Sequence, residues 1–330
     1  MVFKRFVLLT VTACLITSTA AACLWDKDTL QMERSRFPDV LELITGRFLR
    51  HSKQFYEWRI EDRQKRLADG ESTGELYDDL AVAFDKTGQH EKAIETINAK
   101  DKLWPGEYET LANKGTFLIH SGKYTEGVDF IRKAIEVNPD AHFGREVYQQ
   151  LLVEYLIERQ VDGKTMLPIG KSHDLPDGSF RSTNSFADFV FEKQKIDYAN
   201  RSDERQKALK GILGMMRFGN YDSPVLLEAL GDLLIDQEAP EKDGKWLACR
   251  AYLQASYRTA DNKEASAAYR NKAKSTLRLH ERAKLETVER ELRKEIREAE
   301  QWWRGVQEDE AAWIKASVDV DAEFSKKYFR

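Results

Sequence analysis

The sequence predicts an all-α fold: a solenoid of helical hairpins followed by a long C-terminal helix. Three observations carry this. The 330 residues include only 7 Pro and 18 Gly, and 33% are charged against 42% hydrophobic, a balance that supports a helical core and excludes global disorder. A pattern of small and large apolar residues recurs at a spacing of 34 between positions 74 and 141. A narrow apolar seam, Leu285, Val288, Leu292, Ile296, Ala299, Trp303 and Val306, runs along a highly charged C-terminal segment at steps of three and four.

Residues 1–22 have the three parts of an export signal. Lys4 and Arg5 form the basic start, Phe6 to Ile16 the apolar stretch, and Thr19 to Ala22 the small residues before cleavage. The apolar stretch is shorter than the roughly 20 residues a membrane span needs. Cys23 follows directly and is a candidate lipidation site, with ordinary cleavage after Ala22 as the alternative. Cys249 sits in an apolar helical pattern and reads as a small core residue, and a Cys23–Cys249 disulfide stays open.

Residues 23–73 read as a helical cap, with apolar stripes at Val40, Leu41, Leu43, Ile44 and Phe48 and at Phe55, Trp58, Ile60 and Leu67. Asp26 and Asp28 within it read as a solvated acidic stretch. The repeat then begins. Tyr77, Leu80, Ala81, Phe84, Ala93, Ile97 and Pro105 mark the first copy, residues 74–107. Leu111, Gly115, Leu118, Gly127, Ile131, Ala134 and Pro139 mark the second, residues 108–141. Ala81, Ala93, Gly115 and Gly127 are small where two helix axes cross closely, and Tyr77, Phe84, Leu118 and Ile131 fill the space between hairpins. Gly88 and Gly122 fall where a first helix ends, and the prolines stop each second helix. Lys86 reads as a position that tolerates alanine.

Residues 142–158 read as the start of a degenerate third hairpin with no evident second helix. A long loop is predicted over 159–203 from Gly163, Pro168, Gly170, the Leu175–Gly178 turn and a polar run from Ser182, with room for a short helix from Phe186. Residues 204–260 read as degenerate hairpins, with Ala208 to Phe218 ahead of a pair built on Leu227, Leu230, Gly231 and Leu234 and on Ala248, Tyr252 and Ala255. Residues 261–330 read as the long amphipathic C-terminal helix and tail, with 263–316 either one long helix or a helical pair. That seam is expected to cover the solenoid as a cap, with Trp303 buried and Trp302 outward, because neighbours on a helix stand about 100° apart.

The two copies resemble tetratricopeptide (TPR) motifs. The segment Cys23-Leu24-Trp25-Asp26-Lys27-Asp28-Thr29-Leu30, continued by Ile44-Thr45-Gly46-Arg47-Phe48, resembles the opening of a group of uncharacterised exported bacterial TPR proteins. The resemblance implies a protein-interaction scaffold with no cofactor, whose first helices line a concave groove. By position these are Glu75, Asp78, Val82 and Asp85 in the first repeat, and Glu109, Ala112, Asn113, Thr116 and His120 in the second. Family members that clamp a terminal carboxylate use Lys and Asn early on the first helix. Here Asp78 and Val82 occupy those places and only Asn113 fits, so a neutral or basic protein or peptide suits this face better than an acidic tail.

No catalytic, cofactor or metal motif emerges. No His pair has metal spacing, His120 and His142 read as ordinary surface or groove residues, and no phosphate loop, dinucleotide fingerprint or nucleophile elbow is present. The net charge of −4 shows no basic excess of the kind nucleic-acid binding needs. The expected function is therefore an exported, non-catalytic scaffold, periplasmic or anchored to the envelope through a lipid on Cys23. Two alternatives stand beside it. One is an envelope enzyme with a site at His173, Asp174 and Asp177 in the 159–203 loop, and the other a structural protein that self-associates through its C-terminal helix.

Overall fold

A computed structural model describes residues 24–139, 141–174, 180–235, 243–277 and 284–329. The expected export signal of residues 1–22, Cys14 within it, and Cys23, Asp177 and His280 lie outside them, as do the side chains of His142, His173 and Asp174. The fold is all-α apart from one two-stranded hairpin. Its helices are α1 (Lys27–Arg34), α2 (Val40–Thr45), α3 (Lys53–Ala68), α4 (Gly74–Lys86), α5 (His90–Leu103), α6 (Tyr108–His120), α7 (Tyr124–Val137) and α8 (Arg145–Glu158). After the strands β1 (Lys171–Asp174) and β2 (Phe180–Thr183) come α9 (Phe186–Lys193), α10 (Arg201–Phe218), α11 (Pro224–Ile235), α12 (Gly244–Arg258), α13 (Lys263–Thr276), α14 (Leu285–Lys315) and α15 (Val320–Tyr328).

Local chemistry sets many of the starts. Thr73 caps α4 through the Leu76 amide at 3.2 Å, and Ser52 caps α3 through the Phe55 amide at 3.1 Å. Consecutive helices then pack in pairs, α4 on α5 and α6 on α7. The second crossing is set by two glycines. A Cβ on Gly115 would stand 2.7 Å from Ile131 and 3.0 Å from the Gly127 carbonyl, and one on Gly127 would stand 2.8 Å from the Gly115 carbonyl. No side chain fits between those backbones, which is why the spacing signal was visible in the sequence.

The third hairpin pairs α8 with α10, and the fourth pairs α11 with α12, on which α13 packs. The missing partner of α8 thus exists but is delayed by an insertion. That insertion corrects the reading of 159–203 as a long loop. It holds the antiparallel pair β1–β2, in register Lys171 to Thr183, and then α9, whose Phe186, Phe189, Val190 and Phe191 are buried in the main core. Among the described residues 263–316 is the helical pair, α13 and α14, rather than the single helix, and the expected tail carries a further helix, α15.

α14 has 31 residues, about 46 Å at 1.5 Å per residue. Val288, Leu292, Ala299 and Val306 on its seam are fully buried. It lies against α2, α3 and α12, so it bridges the first helices of the solenoid to its last hairpin. The Trp303 indole donates to the Arg50 carbonyl at 3.1 Å and Arg50 stacks over its ring, while Trp302 is 40% exposed. No described helix is long and apolar enough to cross a membrane.

Candidate protein-binding groove

The groove expected on α4 and α6 is filled. Leu24, Trp25 and the first turn of α1 lie along it. Asn113 on α6 reads the backbone of Trp25 on both sides, its Oδ1 accepting the Trp25 amide at 2.8 Å and its Nδ2 donating to the Trp25 carbonyl at 2.9 Å. The Lys27 amide donates to Asp79 on α4 at 3.0 Å. Leu24 enters the core of α3, α4 and α5, and the Trp25 ring stands edge-on to Tyr108, centroids 6.1 Å apart. This corrects the picture of an open face.

The nine predicted groove residues divide accordingly. Asp78, Val82, Asp85, Ala112, Asn113 and Thr116 are buried, Glu109 and His120 half-buried, and Glu75 exposed. Asp78 accepts from Lys100 at 2.6 Å and Asn113 at 3.2 Å, and burial still pushes its carboxyl up to about 7. Thr116 accepts from Gln149 on α8. Asp85 lies between His90 and His120. Lys86 is not a free surface residue, because its Nζ donates to the carbonyls of Phe218 and Gly219 at 2.8 and 2.7 Å and ties α4 to the end of α10. Beside Trp25 a cavity of about 390 Å³ remains, lined by Glu75, Glu107 and Glu109 and by Lys27 and Lys100, the last paired with Glu107 at 3.1 Å.

The start of α1 is locked by buried charge. The Asp26 side chain caps α1 in a capping box with Thr29. Arg59 on α3, wholly buried, donates to Asp28 at 2.6 Å, Asp321 at 2.7 Å and Asp26 at 3.3 Å. Arg63, one turn on, holds Asp79 at 2.9 Å and also meets Asp321. His51 sits between Glu310 of α14 at 2.7 Å and Asp28 at 3.1 Å, stacked on Phe55 at 3.6 Å. Burial opposes charge on His51, but Asp28 and Glu310 outweigh it and raise the ring to about 9. Burial likewise opposes ionisation of Asp28, yet Arg59 and His51 hold its carboxyl well below the usual range. Burial and the nearby Asp28 push Asp26 up to about 6. Asp26 and Asp28 are thus buried anchors, a correction to the solvated stretch expected. Sequence reasoning missed the network because its members come from five separate segments, with Arg59 and Asp321 262 residues apart.

A second filled groove lies on α11. Lys272 pairs with Glu228 at 2.8 Å and Asp232 at 3.0 Å, while Tyr269 and Tyr252 donate to those carboxylates at 2.7 and 2.6 Å. Glu228 also accepts the amides of Ile169 at 2.9 Å and Gly170 at 2.8 Å, which pins the insertion. Of the alternative site in the insertion, His173 and Asp174 pair along β1 with Arg181 and Phe180.

Comparison with known proteins agrees with this architecture where it reaches. Residues 108–141, helices α6 and α7, match the tetratricopeptide repeat family. A relative from Mycosarcoma maydis, described as small glutamine-rich tetratricopeptide repeat-containing protein 2, is 30% identical over 88 residues, 27% of this chain and 25% of the relative. The chain therefore spans about a quarter of the length of that curated relative. No solved structure matches the chain. What this establishes is a chain that carries a tetratricopeptide repeat at 108–141 and folds as an all-α solenoid of helical hairpins.

Proposed function

We propose that the chain is an exported, non-catalytic scaffold that holds a protein or peptide partner in the cell envelope, and that the partner enters the α4–α6 groove in exchange for Leu24 and Trp25. The observation that carries this is the paired contact of Asn113 with the Trp25 amide and carbonyl. A side-chain amide that satisfies both backbone groups of one residue reads an extended peptide without reading its side chains. The rim of Glu75, Glu107 and Glu109 favours a partner with a basic residue next to that position and disfavours an acidic one. The tetratricopeptide repeat supports a protein partner over a small substrate. Export rests on the pattern of residues 1–22, and Cys23 is the proposed lipid anchor.

Two experiments test the proposal. A labelled peptide of the order Leu-Trp-Lys is titrated by fluorescence anisotropy into the chain loosened by removal of residues 1–25, which frees Asn113 while Asp26 and Asp28 stay bound to Arg59. Saturable binding is expected, weakened about tenfold by adding Asn113→Ala, which removes roughly 1–2 kcal/mol of hydrogen bonding. No binding to the loosened chain would rule out the groove as a peptide site. Mass spectrometry of the native N-terminus tests export. A start at Cys23 is expected, with added lipid mass if anchored, and an intact Met1 in the cytosol would overturn it.

A further inference from the structure

Asp85, His90 and His120 come together from three helices. Asp85 ends α4, His90 opens α5 and His120 closes α6. Gly88, at φ +80°, turns the chain between α4 and α5 in the left-handed region and brings His90 back over Asp85. The Nδ1 of His90 lies 2.8 Å from one Asp85 oxygen and the Nδ1 of His120 lies 2.7 Å from the other. The three ligand atoms all fall within 4.8 Å of one another. The Asp85 and His120 side chains are 2% and 9% exposed and that of His90 is 25%, so the cluster has a buried floor and one open side.

We propose that Asp85, His90 and His120 form a binding site for a divalent transition-metal ion of the zinc class, with solvent completing the coordination on the open side at His90. One oxygen and two imidazole nitrogens form a donor set that Zn²⁺ takes, at about 2.0–2.2 Å from each atom, and three protein ligands with one open position are a common zinc arrangement. A tetrahedral ion at those bond lengths sets its ligand atoms about 3.3 Å apart. Each nitrogen lies about half an ångström closer than that to its own Asp85 oxygen, and the two must converge on one oxygen from a set that already lies within 4.8 Å. Several other buried carboxylates are paired with permanent cations, as Asp79 is with Arg63, Asp78 with Lys100 and Glu228 with Lys272, while Glu310 meets one imidazole, that of His51. Asp85 instead takes two imidazoles, groups that give up a proton to become ligands. The simpler account is that the imidazoles only hydrogen-bond a buried carboxylate, and it predicts no metal affinity.

The test uses the full chain without a histidine tag, freed of metal with a chelator and dialysed. Co²⁺ is titrated and followed by its visible d–d absorption, and Zn²⁺ is then added as competitor. One equivalent of Co²⁺ is expected to give a saturable band that Zn²⁺ abolishes. His90→Ala and His120→Ala should each weaken binding by about 100-fold or more, since loss of a direct ligand exceeds the 10–100-fold typical of outer partners. His142→Ala should leave it unchanged. Far-UV circular dichroism checks that each variant folds, and His90, the most exposed ligand, decides if His120→Ala does not. A wild-type chain with no saturable band overturns the site, as does a band that persists in the His90→Ala/His120→Ala double variant.

Discussion

His51 makes a pH-dependent contribution to stability that can be isolated with one substitution. Its two ring nitrogens face two buried carboxylates, Glu310 at 2.7 Å and Asp28 at 3.1 Å. Only the imidazolium donates to both, since the neutral ring carries a single N–H. In the folded chain the ring titrates at about 9, against its ordinary 6.5. A group whose folded pKa is raised stabilises fully below its unfolded pKa and loses that stabilisation as pH rises through the folded value. The loss therefore falls between pH 6.5 and 9. At 1.36 kcal/mol per unit the full loss is roughly 3–4 kcal/mol, of which roughly 2–3 kcal/mol falls between pH 6.5 and pH 9. Asp26 and Asp78, raised to about 6 and about 7, act below most of this window, and Cys249, pushed up to about 11 by burial, acts above it. Urea unfolding at pH 6.5 and pH 9 should show the drop in the wild type and a much flatter response in His51→Gln, whose amide does not titrate. An equal drop in both proteins would refute the reasoning.

Other substitutions probe separate joints. Lys86→Ala should destabilise the chain by about 1–3 kcal/mol, because the carbonyls of Phe218 and Gly219 lose a charged donor; urea midpoints measure it, and no change would dismiss the tie. Lys272→Met should cost about 3–5 kcal/mol by leaving Glu228 and Asp232 buried without their cation, read by thermal melts with Lys272→Arg as a milder comparison. Gly231→Ala should cost about 1–3 kcal/mol, since its Cβ would lie 2.5 Å from the Tyr252 ring, itself fixed by Asp232; a melt equal to wild type would mean that the ring yields freely. A chain ending at 284 lacks Glu310 and Asp321 and should lose hydrogen-exchange protection in α3 as well as α12, whereas loss confined to α12 would show that α14 does not bridge them.

Local and periodic features of the fold were legible in the sequence. Gly115 and Gly127 announced a close helix crossing because no other residue fits there. The seam from Val288 to Val306 announced a buried helix face because its period is that of an α-helix. What failed had no local signal. The partner of α8 was hidden because α10 begins only at Arg201, beyond an insertion whose Gly and Pro residues read as loop. A short helix from Phe186 was expected and is α9, but its burial depends on surfaces of α8, α10 and α11 that lie outside 186–193. The groove residues were read as an open face, and nothing in Asn113 or Asp79 signalled that the chain's own Leu24–Lys27 would cover them. The same holds for His90, which gains meaning only when a turn at Gly88 sets it beside Asp85 and α6 delivers His120.

The chemistry of the two filled grooves separates what a partner can displace from what it cannot. On α11 the insertion's backbone amides rest on Glu228 and Asp232, which also hold Lys272. A competitor there would have to replace amide donors to carboxylates already out of water, and an imperfect replacement costs the full desolvation of each orphaned group. On α4 and α6 the filling segment is divided. Asp26 and Asp28 are bound to Arg59, so removing them would leave a buried guanidinium with only Asp321, a loss on the scale of a broken buried ion pair. Leu24 and Trp25 are held by neutral hydrogen bonds, from the Asn113 amide and the Thr29 hydroxyl, and by apolar contact. Another extended peptide reproduces both at little net cost. Exchange therefore stops at Asp26, where the charge begins. A partner would occupy the Leu24–Trp25 portion with an apolar or aromatic residue and reach the Glu75, Glu107 and Glu109 rim with its next side chain, while α1 stays locked to α3.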